Sequence, residues 1–470
     1  MYDYDLACIG SGPAGQRCAV QAAKLGRRVA VIEKGRVYGG VCVETGTIPS
    51  KMFREAVRSL SAWRQQAQSL GQRGDLRPRM HRLLERVDSM IANEATIVRE
   101  QLRRNDVDLI EGRASFVDEH TLEVTSGQST RQVSAQNILI GVGARPALPE
   151  GAEPDGEVLL TSDQVFALDR LPRTMTVVGG GVIGMEYASM FAELGVKVTV
   201  VDKRSRPLGL LDFEIVDELV HQMRRKWVTF HGNETVERIQ VQKEPKAKGL
   251  VRLASGKHLL SDAILYCAGR QACTDTLGLD KIGLVPDKRG LLAVGPDFRT
   301  EVPNVFAAGD VIGFPALAAT SSEQGRLAAC QMFGVEAKEL GSHFPIGIYA
   351  IPEMSTVGRN EQELTEDCIP YETGVARYHE IARGAMLGDE SGLFKMIFHR
   401  DTRELLGVHC IGTGATELIH VGQAVLALGG GLDYFLDTVF NYPTLAECYK
   451  VAAYQAANKI RSFQEFECAD

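Results

Sequence analysis

The pattern of apolar and polar positions along the chain contains a unit that occurs twice. A short apolar strand leads into a glycine-rich turn, a helix follows, and a second apolar strand ends in a carboxylate, over residues 9–34 and again over residues 178–203. Two apolar runs on either side of a helix are typical of a βαβ unit, whose strands lie parallel in one sheet. The pattern therefore predicts an α/β protein with two such units, which match position by position at one constant offset.

Both units carry the spacing Gly-x-Gly-x-x-Gly where the first strand turns into the helix. The first glycine permits the tight turn, the second lets backbone N–H groups approach a pyrophosphate, and the third lets the helix pack closely on its strand. The helix start adds unpaired N–H donors and a partial positive charge. A carboxylate that can bind the adenosine ribose follows the last glycine of each unit at the same spacing, at the end of the second strand. The residues of these two predicted dinucleotide sites are Gly10, Gly12, Gly15 and Glu33 in the first, and Gly179, Gly181, Gly184 and Asp202 in the second.

Cations follow both carboxylates, and they bear on which nucleotide each site accepts. Lys34 follows the first carboxylate, while Lys203, Arg204 and Arg206 follow the second. A carboxylate alone favours NAD because it repels the 2′-phosphate of NADP, whereas cations beside it can hold that phosphate. The combination predicts a second site that tolerates both nucleotides. A solvated basic loop is the alternative interpretation.

A later segment supplies further candidates for the first site. A strand that begins near residue 300 is predicted to end in Gly309 and Asp310, and a helix is predicted to begin at Leu317 and Ala318. An aspartate at a strand end can bond a polyol such as a ribityl chain, and a helix start can face the pyrimidine edge of a flavin. We therefore expect FAD in the first site and NAD(P) in the second.

Composition excludes several classes of function. The apolar fraction is 44% and the charged fraction 24%, as in ordinary globular proteins, and the net charge of −8 argues against nucleic acid as a partner. Ten cysteines include no Cys-x-x-Cys pair, so we expect no metal site and a reducing compartment. Neither a signal peptide nor an apolar run of about 20 residues is apparent. These features favour a cytoplasmic enzyme that acts on small molecules, away from membranes.

Further motifs lie outside the two units. They are GGVCVETGTIPSK over Gly39–Lys51, which includes Gly40, then GVGARP over Gly141–Pro146, which includes Gly143, then Gly269-Arg270, and YAIPE over Tyr349–Glu353. Together with the repeated unit they resemble the class I pyridine nucleotide-disulfide oxidoreductases, such as dihydrolipoyl dehydrogenase and glutathione reductase. The resemblance extends over nearly the whole chain. It implies bound FAD, NAD(P) as substrate, and a homodimer or higher homo-oligomer.

The resemblance also implies a domain organisation. We expect two doubly wound α/β dinucleotide-binding domains, for FAD and for NAD(P), followed by a C-terminal α+β dimerisation domain. The FAD domain would comprise residues 1–153 and 273–343, the NAD(P) domain residues 154–272, and the interface domain residues 344–470. Helical periodicity over residues 53–108 predicts a helical hairpin on the FAD domain.

Two positions depart from the family pattern in a related way. The family's redox motif GGxCxxxGCIPSK keeps its first cysteine as Cys42, but Thr47 stands where the second would be. The family's C-terminal motif His-Pro-Thr-x-x-Glu begins here with Tyr442 and ends with Glu447. A hydroxyl cannot form a disulfide, and a tyrosine with a pKa near 10 is a poor proton shuttle at neutral pH. Loss of both groups predicts that disulfide reduction is replaced by other chemistry.

Both departures are similar to those in the soluble NAD(P)+ transhydrogenases of this family. Hydride transfer between nicotinamide and flavin requires positioning and no disulfide. The resemblance places Lys51 near the flavin N5, paired with Glu186. Since one fingerprint remains for nicotinamide nucleotides, donor and acceptor must use one site in turn, which predicts ping-pong kinetics for NADPH and NAD+.

Other functions fit the same motifs. An NAD(P)H-dependent reductase of quinones or other small acceptors would share every nucleotide motif. A non-catalytic nucleotide-binding subunit or sensor is a second alternative. Cys42 is either a spectator or one half of a relay with Cys468, near the C-terminus.

Overall fold

The computed structural model describes residues 1–35, 37–70, 80–243 and 247–467. The chain divides into two compact units, each built from two segments. The first unit comprises Met1–Leu171 and Tyr266–Leu340, and the second comprises Pro172–Leu265 and Gly341–Asp470. The finer three-domain boundaries given by the sequence resemblance stay a prediction. Cys468 lies outside the described residues.

The helices and strands are numbered in chain order. The helices are α1 Pro13–Lys24, α2 Gly40–Glu44, α3 Thr47–Ser69, α4 Met80–Arg104, α5 Val182–Glu193, α6 Phe213–Arg225, α7 Ala318–Met332, α8 Glu361–Glu366, α9 Ala382–Leu387, α10 Ala415–Ala427, α11 Leu432–Asp437 and α12 Glu447–Glu467. The strands are β1 Tyr4–Ile9, β2 Val29–Glu33, β3 Asp108–Glu111, β4 Arg113–Phe116, β5 Thr121–Ser126, β6 Ser129–Ile140, β7 Ala144–Pro146, β8 Leu159–Thr161, β9 Thr174–Val178, β10 Lys197–Val201, β11 Thr229–His231, β12 Val236–Gln242, β13 Lys248–Leu253, β14 His258–Ser261, β15 Ala263–Tyr266, β16 Arg270–Ala272, β17 Val305–Ala307, β18 Ile346–Ile348, β19 Met354–Gly358, β20 Tyr371–Arg377, β21 Leu393–His399 and β22 Leu405–Ile411.

A mixed sheet organises the first unit. Its strand order is β3-β2-β1-β6-β5-β4, with β17 paired to β6. The strands β1, β2, β3, β17 and the second half of β6 run parallel, as the repeated pattern predicts. Every residue of β2 is buried, because helices cover a parallel sheet on both faces. The helices α1 and α7 pack together closely, since a Cβ built on Gly325 would lie 2.1 Å from the carbonyl oxygen of Ala14.

Two long helices occupy the region whose periodicity predicts a helical hairpin. They are α3 and α4, and they pack against each other and, through α4, against α1 and β3. The first of them begins at Thr47, inside the redox motif, and therefore earlier than the predicted residue 53. Residues that could connect the two helices, 71–79, lie outside the described residues.

The second unit contains three sheets. In the first, β9, β10 and β11 run parallel in the order β11-β10-β9-β15 and carry the second copy of the repeated unit. The second is a small antiparallel sheet of the order β12-β13-β14. The third is an antiparallel sheet of the order β18-β19-β22-β21-β20, and it packs on α10 and α12. Its core is large and apolar, with Phe394, Phe435 and Tyr449 stacked edge-to-face and face-to-face. The predicted fold class, two doubly wound nucleotide-binding sheets and a C-terminal α+β domain, is confirmed. Within the part of the chain that the structure describes, no helix combines the length and apolarity that crossing a bilayer requires.

Candidate functional site

The glycines of the first repeat shape the turn between β1 and α1. Gly10 has φ +102°, and a Cβ there would lie 2.5 Å from the carbonyl oxygen of Gly141. A Cβ on Gly15 would lie 2.0 Å from the carbonyl oxygen of Gly10, so the third glycine is required for helix and strand to meet. At Gly12, a Cβ would have no protein atom within 4 Å. The open space beside Gly12, at the start of α1, therefore fits the pyrophosphate of FAD.

A second glycine-rich turn approaches the same place. Gly40 has φ +61°, and a Cβ on it would lie 3.0 Å from the Cα of Gly12. The backbone N–H of Gly39 donates to the Ser11 hydroxyl at 3.0 Å. The redox motif is thereby tied to the phosphate-binding turn, and a side chain at Gly40 would press against the backbone of Gly12.

Glu33 ends β2 and faces the turn. Its Oε2 accepts from the backbone N–H of Ser11 at 2.9 Å and from the Ser11 hydroxyl at 2.6 Å, and its Oε1 accepts from the backbone N–H of Gly35 at 3.0 Å. An ionised carboxylate has about four acceptor positions, so one remains on Oε1. This arrangement fits a carboxylate that holds the turn and one hydroxyl of the FAD ribose. Lys34, next in sequence, is exposed.

The segment around Asp310 has a different local structure from the one predicted. The strand covers Val305–Ala307 and does not begin at residue 300, because the Val305 N–H bonds the Val302 carbonyl and closes a turn that contains Pro303. Gly309 has φ +85° and donates its N–H to the Gln324 side chain at 2.9 Å. The helix α7 then begins at Ala318 with Leu317 as its N-cap residue, as expected.

Asp310 is held among groups that suit a polyol partner. Burial raises the pKa of Asp310, and the guanidinium of Arg270, 3.9 Å away, partly opposes this shift. Arg270 begins β16, which pairs antiparallel with β7, and its side chain also donates to the Ala144 carbonyl. The side chain of Asp310 is 28% exposed, and a partly buried carboxylate is stabilised by a partner that donates hydrogen bonds, such as a ribityl hydroxyl. The glycines Gly143 and Gly269, which flank this strand pair, have φ values of +66° and +143°.

Cys42 and Thr47 meet in the first unit. Burial raises the pKa of the Cys42 thiol, while a hydrogen bond with Thr47 and the positive charge of Lys51 act in the opposite direction. Cys42 lies in α2, Thr47 is the first residue of α3, and Lys51 follows one turn later. The ammonium of Lys51 lies 3.4 Å from the Ser50 hydroxyl. The hydroxyl of Thr47 therefore takes the position of a second sulfur beside Cys42 without the ability to form a disulfide.

The second repeat reproduces the geometry of the first. Gly179 has φ +107°, and a Cβ on Gly184 would lie 1.9 Å from the Gly179 carbonyl oxygen. A Cβ on Gly181, the N-cap residue of α5, would have no protein atom within 4 Å. The same open space beside a helix start thus occurs in the second unit, where it fits the pyrophosphate of a nicotinamide nucleotide.

Asp202 follows β10 and is 9% exposed. It accepts from the Gly180 N–H at 2.5 Å and from Arg204 through the backbone N–H at 2.8 Å, Nε at 2.9 Å and Nη2 at 2.7 Å. Burial would raise the pKa of Asp202, but the hydrogen bonds from Arg204 and Gly180 outweigh it and lower the pKa. Asp202 is therefore an anion engaged by an arginine.

The other cations that follow Asp202 have different surroundings. Lys203 is exposed. Arg206 pairs with Asp217 at 2.6 Å and lies over the ring of Phe213, 4.7 Å from its centroid. Arg204 contacts the carboxylate of Asp202, whereas Arg206 bonds another carboxylate.

Glu186 lies on α5, the helix of the second glycine turn, and it is buried. It accepts from the backbone N–H of Tyr349 at 2.8 Å, and Ser189 accepts from the backbone N–H of Ile351 at 3.0 Å. Lys51 and Glu186 belong to different units, so the pairing that the resemblance implies stays a prediction.

The C-terminal candidates lie at the start of α12. Tyr442 is 71% exposed, and Glu447 is the first residue of the helix and accepts from the Thr444 N–H at 3.3 Å. Glu447 therefore stabilises the turn that carries Tyr442. The role of both residues opposite a partner's flavin stays a prediction.

Several residues around these sites have no signature in the sequence. Ser11, Gln324 and Tyr349 support Glu33, Gly309 and Glu186 respectively. The first of them occupies a variable position of the glycine motif, and the other two are brought in by the fold. In the second repeat the position of Ser11 is taken by Gly180, whose backbone N–H bonds Asp202 as the Ser11 N–H bonds Glu33.

One acidic cluster in the second unit has its own cation. The carboxylates of Asp212, Glu214 and Glu361 lie within 4.8 Å of one another. The buried ammonium of Lys395 bonds all three, at 3.1 Å to Asp212 and 3.0 Å to Glu214. This cluster is therefore a charge-compensated ion network.

Comparison with known proteins agrees with this geometry. Residues 4–325 match the family described as pyridine nucleotide-disulphide oxidoreductase, and residues 344–453 match its dimerisation domain. A relative from Mycobacterium bovis (strain BCG / Pasteur 1173P2), named soluble pyridine nucleotide transhydrogenase, is 49% identical over 99% of this chain and 100% of its own length. A relative from Hahella chejuensis with the same name is 43% identical over 98% of this chain and 99% of its own length.

Solved structures with the same fold are also similar. LpdA from Mycobacterium tuberculosis has a TM-score of 0.88 and 27% identity, over 96% of this chain and 99% of that chain. The HOCl-induced flavoprotein disulfide reductase RclA from Escherichia coli has a TM-score of 0.86 and 26% identity, over the same shares. The chain therefore belongs to the pyridine nucleotide-disulphide oxidoreductase family.

Proposed function

We infer that this protein is an FAD-dependent pyridine nucleotide transhydrogenase, which catalyses NADPH + NAD+ → NADP+ + NADH. The observation that carries this inference is the contact between Cys42 and Thr47, because it places a hydroxyl where a disulfide reductase requires a sulfur. The glycine turns of both repeats are intact. Relatives at 43–49% identity over nearly the whole chain bear the transhydrogenase name.

The residues of the chain would bind FAD and the nicotinamide nucleotides and orient them for hydride transfer. Bound FAD supplies the group that accepts a hydride from one nicotinamide and gives it to another. Gly12 and Glu33 would hold its pyrophosphate and ribose, and Asp310 its ribityl chain. We propose that the positive charge of Lys51 favours the electron-rich state of the cofactor. Glu186 is proposed to orient the nicotinamide end of the second site.

One site serves both nicotinamide nucleotides in turn. The second repeat provides one turn, one helix start and one carboxylate for these substrates, and the first repeat is committed to FAD. The oxidised product must therefore leave before the acceptor binds, which is a ping-pong scheme. Because NADH and NADPH have the same reactive ring, the reaction is nearly isoenergetic, and nucleotide concentrations set its direction.

The decisive experiment separates the two half-reactions. The purified holoenzyme is reduced with one equivalent of NADPH without oxygen, and NAD+ is then added in a stopped-flow instrument. We expect the visible flavin absorbance to bleach and then return at a rate no lower than turnover. Bleaching followed by slow return with NAD+ and fast return with a quinone would instead identify a small-acceptor reductase. Protein that binds FAD without bleaching would identify a non-catalytic nucleotide-binding protein.

Assembly and compartment follow from the same assignment. We propose a cytoplasmic homodimer or higher homo-oligomer. The dimerisation-domain match supports it, and so do the exposed apolar side chains of Leu428, Val439 and Tyr442, which are 87%, 91% and 71% accessible. Light scattering during size-exclusion chromatography tests the assembly, and a monomer at micromolar concentration would refute it.

A further inference from the structure

Donors of the protein itself occupy all of the acceptor positions of the Asp202 carboxylate. Oδ1 accepts from the N–H and Nε of Arg204, and Oδ2 accepts from the Gly180 N–H and from Nη2 of Arg204. An ionised carboxylate offers about four such positions. A ribose hydroxyl can therefore bond Asp202 only if a donor leaves. The guanidinium of Arg204, which is 44% exposed, is the donor that can move.

The first repeat provides an internal comparison. When the two repeats are aligned on their glycines, Gly35 corresponds to Arg204 and Ser11 to Gly180. The backbone N–H groups of Gly35 and Ser11 bond Glu33 as their counterparts bond Asp202. Since Gly35 has no side chain, Oε1 of Glu33 keeps one position for a ligand. The two carboxylates thus differ in the presence of a guanidinium on the second.

The local sequence alone does not determine whether the guanidinium bonds the carboxylate. The tripeptide Asp-Lys-Arg occurs again at residues 287–289, and the Arg289 N–H bonds Asp287 at 2.7 Å as the Arg204 N–H bonds Asp202. There the guanidinium stays away, with Nε 3.9 Å from the carboxylate, and it is 71% exposed. The same tripeptide therefore makes the bidentate contact at Asp202 and does not make it at Asp287.

We propose that Asp202 and Arg204 form a two-way selector, in which a nucleotide with a 2′-phosphate takes Arg204 and a nucleotide with a 2′-hydroxyl takes Asp202. This proposal rests on the proposed function and explains how one site can serve both substrates. Either nucleotide must break the ion pair between Asp202 and Arg204. Its 2′-group then bonds one of the two residues. Because each nucleotide then gains a contact with one member of the pair, the pair reduces the difference in affinity between the two nucleotides.

The cations near Asp202, which are Lys203, Arg204 and Arg206, have different roles. Arg206 bonds Asp217 and lies over the ring of Phe213, so it is not part of the ion pair with Asp202. Lys203 is exposed and adds positive charge without a fork-like geometry. Arg204 can present two N–H groups to a phosphate in the same geometry in which it now binds the carboxylate.

The test measures binding and selectivity in the holoenzyme variants Arg204→Gln, Arg204→Lys, Asp202→Asn and the matched control Arg289→Gln. Calorimetric titration with 2′,5′-ADP and with 5′-ADP reports the 2′-group without any turnover. We expect Arg204→Gln to weaken 2′,5′-ADP by about 10- to 100-fold, the worth of a charge-assisted contact. The same variant should bind 5′-ADP as well as or about threefold better than the parent, because the competing donor is gone. Arg204→Lys should fall between the parent and Arg204→Gln for 2′,5′-ADP.

Asp202→Asn should have the opposite effect, with weaker 5′-ADP and tighter 2′,5′-ADP binding, and Arg289→Gln should change neither. Loss of both ligands to the same extent in Arg204→Gln and Arg204→Lys, at unchanged FAD content and melting temperature, would overturn the selector. If Arg204→Gln does not fold, the affinities of Arg204→Lys for the two ligands test the selector instead. Measurements on the parent holoenzyme separate a failure of the proposed function from a failure of the selector. If it binds both ligands but transfers no hydride to NAD+, the proposed function fails, whereas an unchanged ratio of affinities in the variants contradicts the selector alone.

Discussion

Glu186 accepts a hydrogen bond from the backbone N–H of Tyr349 at 2.8 Å, across 163 residues of sequence. Ser189, one turn further along the same helix, accepts from the backbone N–H of Ile351 at 3.0 Å. The helix of the second nucleotide turn is thereby fastened to the segment that precedes β19. Glu186 consequently has a structural task, which must be separated from its proposed role beside the nicotinamide.

Two substitutions of Glu186 make that separation. Glu186→Gln keeps an acceptor for the Tyr349 N–H and removes the charge, whereas Glu186→Ala removes that acceptor. We expect Glu186→Ala to lower the free energy of unfolding by about 1–3 kcal/mol and Glu186→Gln to lower it by less. Urea unfolding measures both. If Glu186→Gln keeps the parent's stability and still slows flavin reduction by NADPH, the charge of Glu186 acts in hydride transfer. If both variants lose the same amount of stability, the hydrogen bond to Tyr349 does not have the structural role assigned to it.

Lys395 is the buried centre of an ion network that joins α6, α8 and β21. Its ammonium bonds Asp212, which is 1% exposed and caps α6 by accepting the N–H of Glu214. Lys395→Met would leave that carboxylate buried without its cation, at a cost of about 3–5 kcal/mol. Lys459→Met is the control, because Lys459 is 43% exposed where it pairs with Glu372. Chemical unfolding checks both variants, and similar losses in the two would contradict the special position of Lys395.

The same network predicts how stability depends on pH. Burial alone would lower the pKa of Lys395, but the attraction of Asp212 and Glu361 outweighs it and raises the pKa. A raised pKa in the folded state stabilises the protein fully below the unfolded value of about 10.4 and loses this effect as pH rises through the folded value. The contribution of Lys395 should therefore be constant between neutral pH and about pH 10 and decline above it. In a comparison of melting temperatures, the difference between parent and Lys395→Met should shrink as pH rises above about 10.

Cys42 should be a slow thiol. Burial raises its pKa, whereas Cys368 is exposed. We expect iodoacetamide to modify Cys368 well before Cys42 in the holoenzyme at pH 8, as followed by mass spectrometry of peptides, because the thiolate is the reactive form. Thr47→Val removes the hydrogen bond that favours the thiolate and should slow Cys42 further. Equal rates at Cys42 and Cys368 would show that Cys42 is an activated nucleophile.

The sequence predicts much of this molecule because its main features are local and repeated. The constant offset between the two units identifies both glycine turns and both carboxylates, and the turn geometries at Gly10 and Gly179 agree, with φ values of +102° and +107°. The α/β class and the start of α7 follow from similar short-range patterns. Fold-dependent contacts are different. The bond between Glu186 and Tyr349 has no local pattern, and a lysine such as Lys395 would ordinarily be assigned to the surface.

The side-chain contact of Arg204 is the clearest example of a feature that the local sequence does not predict. The chain contains Asp-Lys-Arg at 202–204 and at 287–289, and the guanidinium bonds the carboxylate in the first case and remains 3.9 Å away in the second. The tripeptide is identical, so the difference comes from the surroundings. Asp202 is 9% exposed and receives the Gly180 N–H, which fixes its orientation for the arginine, whereas the Asp287 side chain is 49% exposed.

The second glycine turn gives a prediction that distinguishes nucleotide binding from folding. A Cβ on Gly181 would meet no protein atom within 4 Å, whereas a Cβ on Gly184 would lie 1.9 Å from the Gly179 carbonyl oxygen. Gly181 has φ −80°, a value that alanine adopts without strain. We therefore expect Gly181→Ala to fold and to retain FAD with the parent's melting temperature.

Gly181→Ala should nevertheless lose affinity for the nicotinamide nucleotides, because its methyl group would occupy the space into which the pyrophosphate must come. The expected change is a rise in the dissociation constants of NADH and NADPH by similar factors, about tenfold or more, since both nucleotides have the same pyrophosphate. Gly184→Ala, in contrast, should destabilise the second unit itself, because helix α5 must move away from β9. Calorimetric titration and thermal unfolding measure the two effects. Unchanged affinity in a folded Gly181→Ala would show that the pyrophosphate does not approach this turn, and would remove the basis for assigning the second repeat to the nicotinamide substrates.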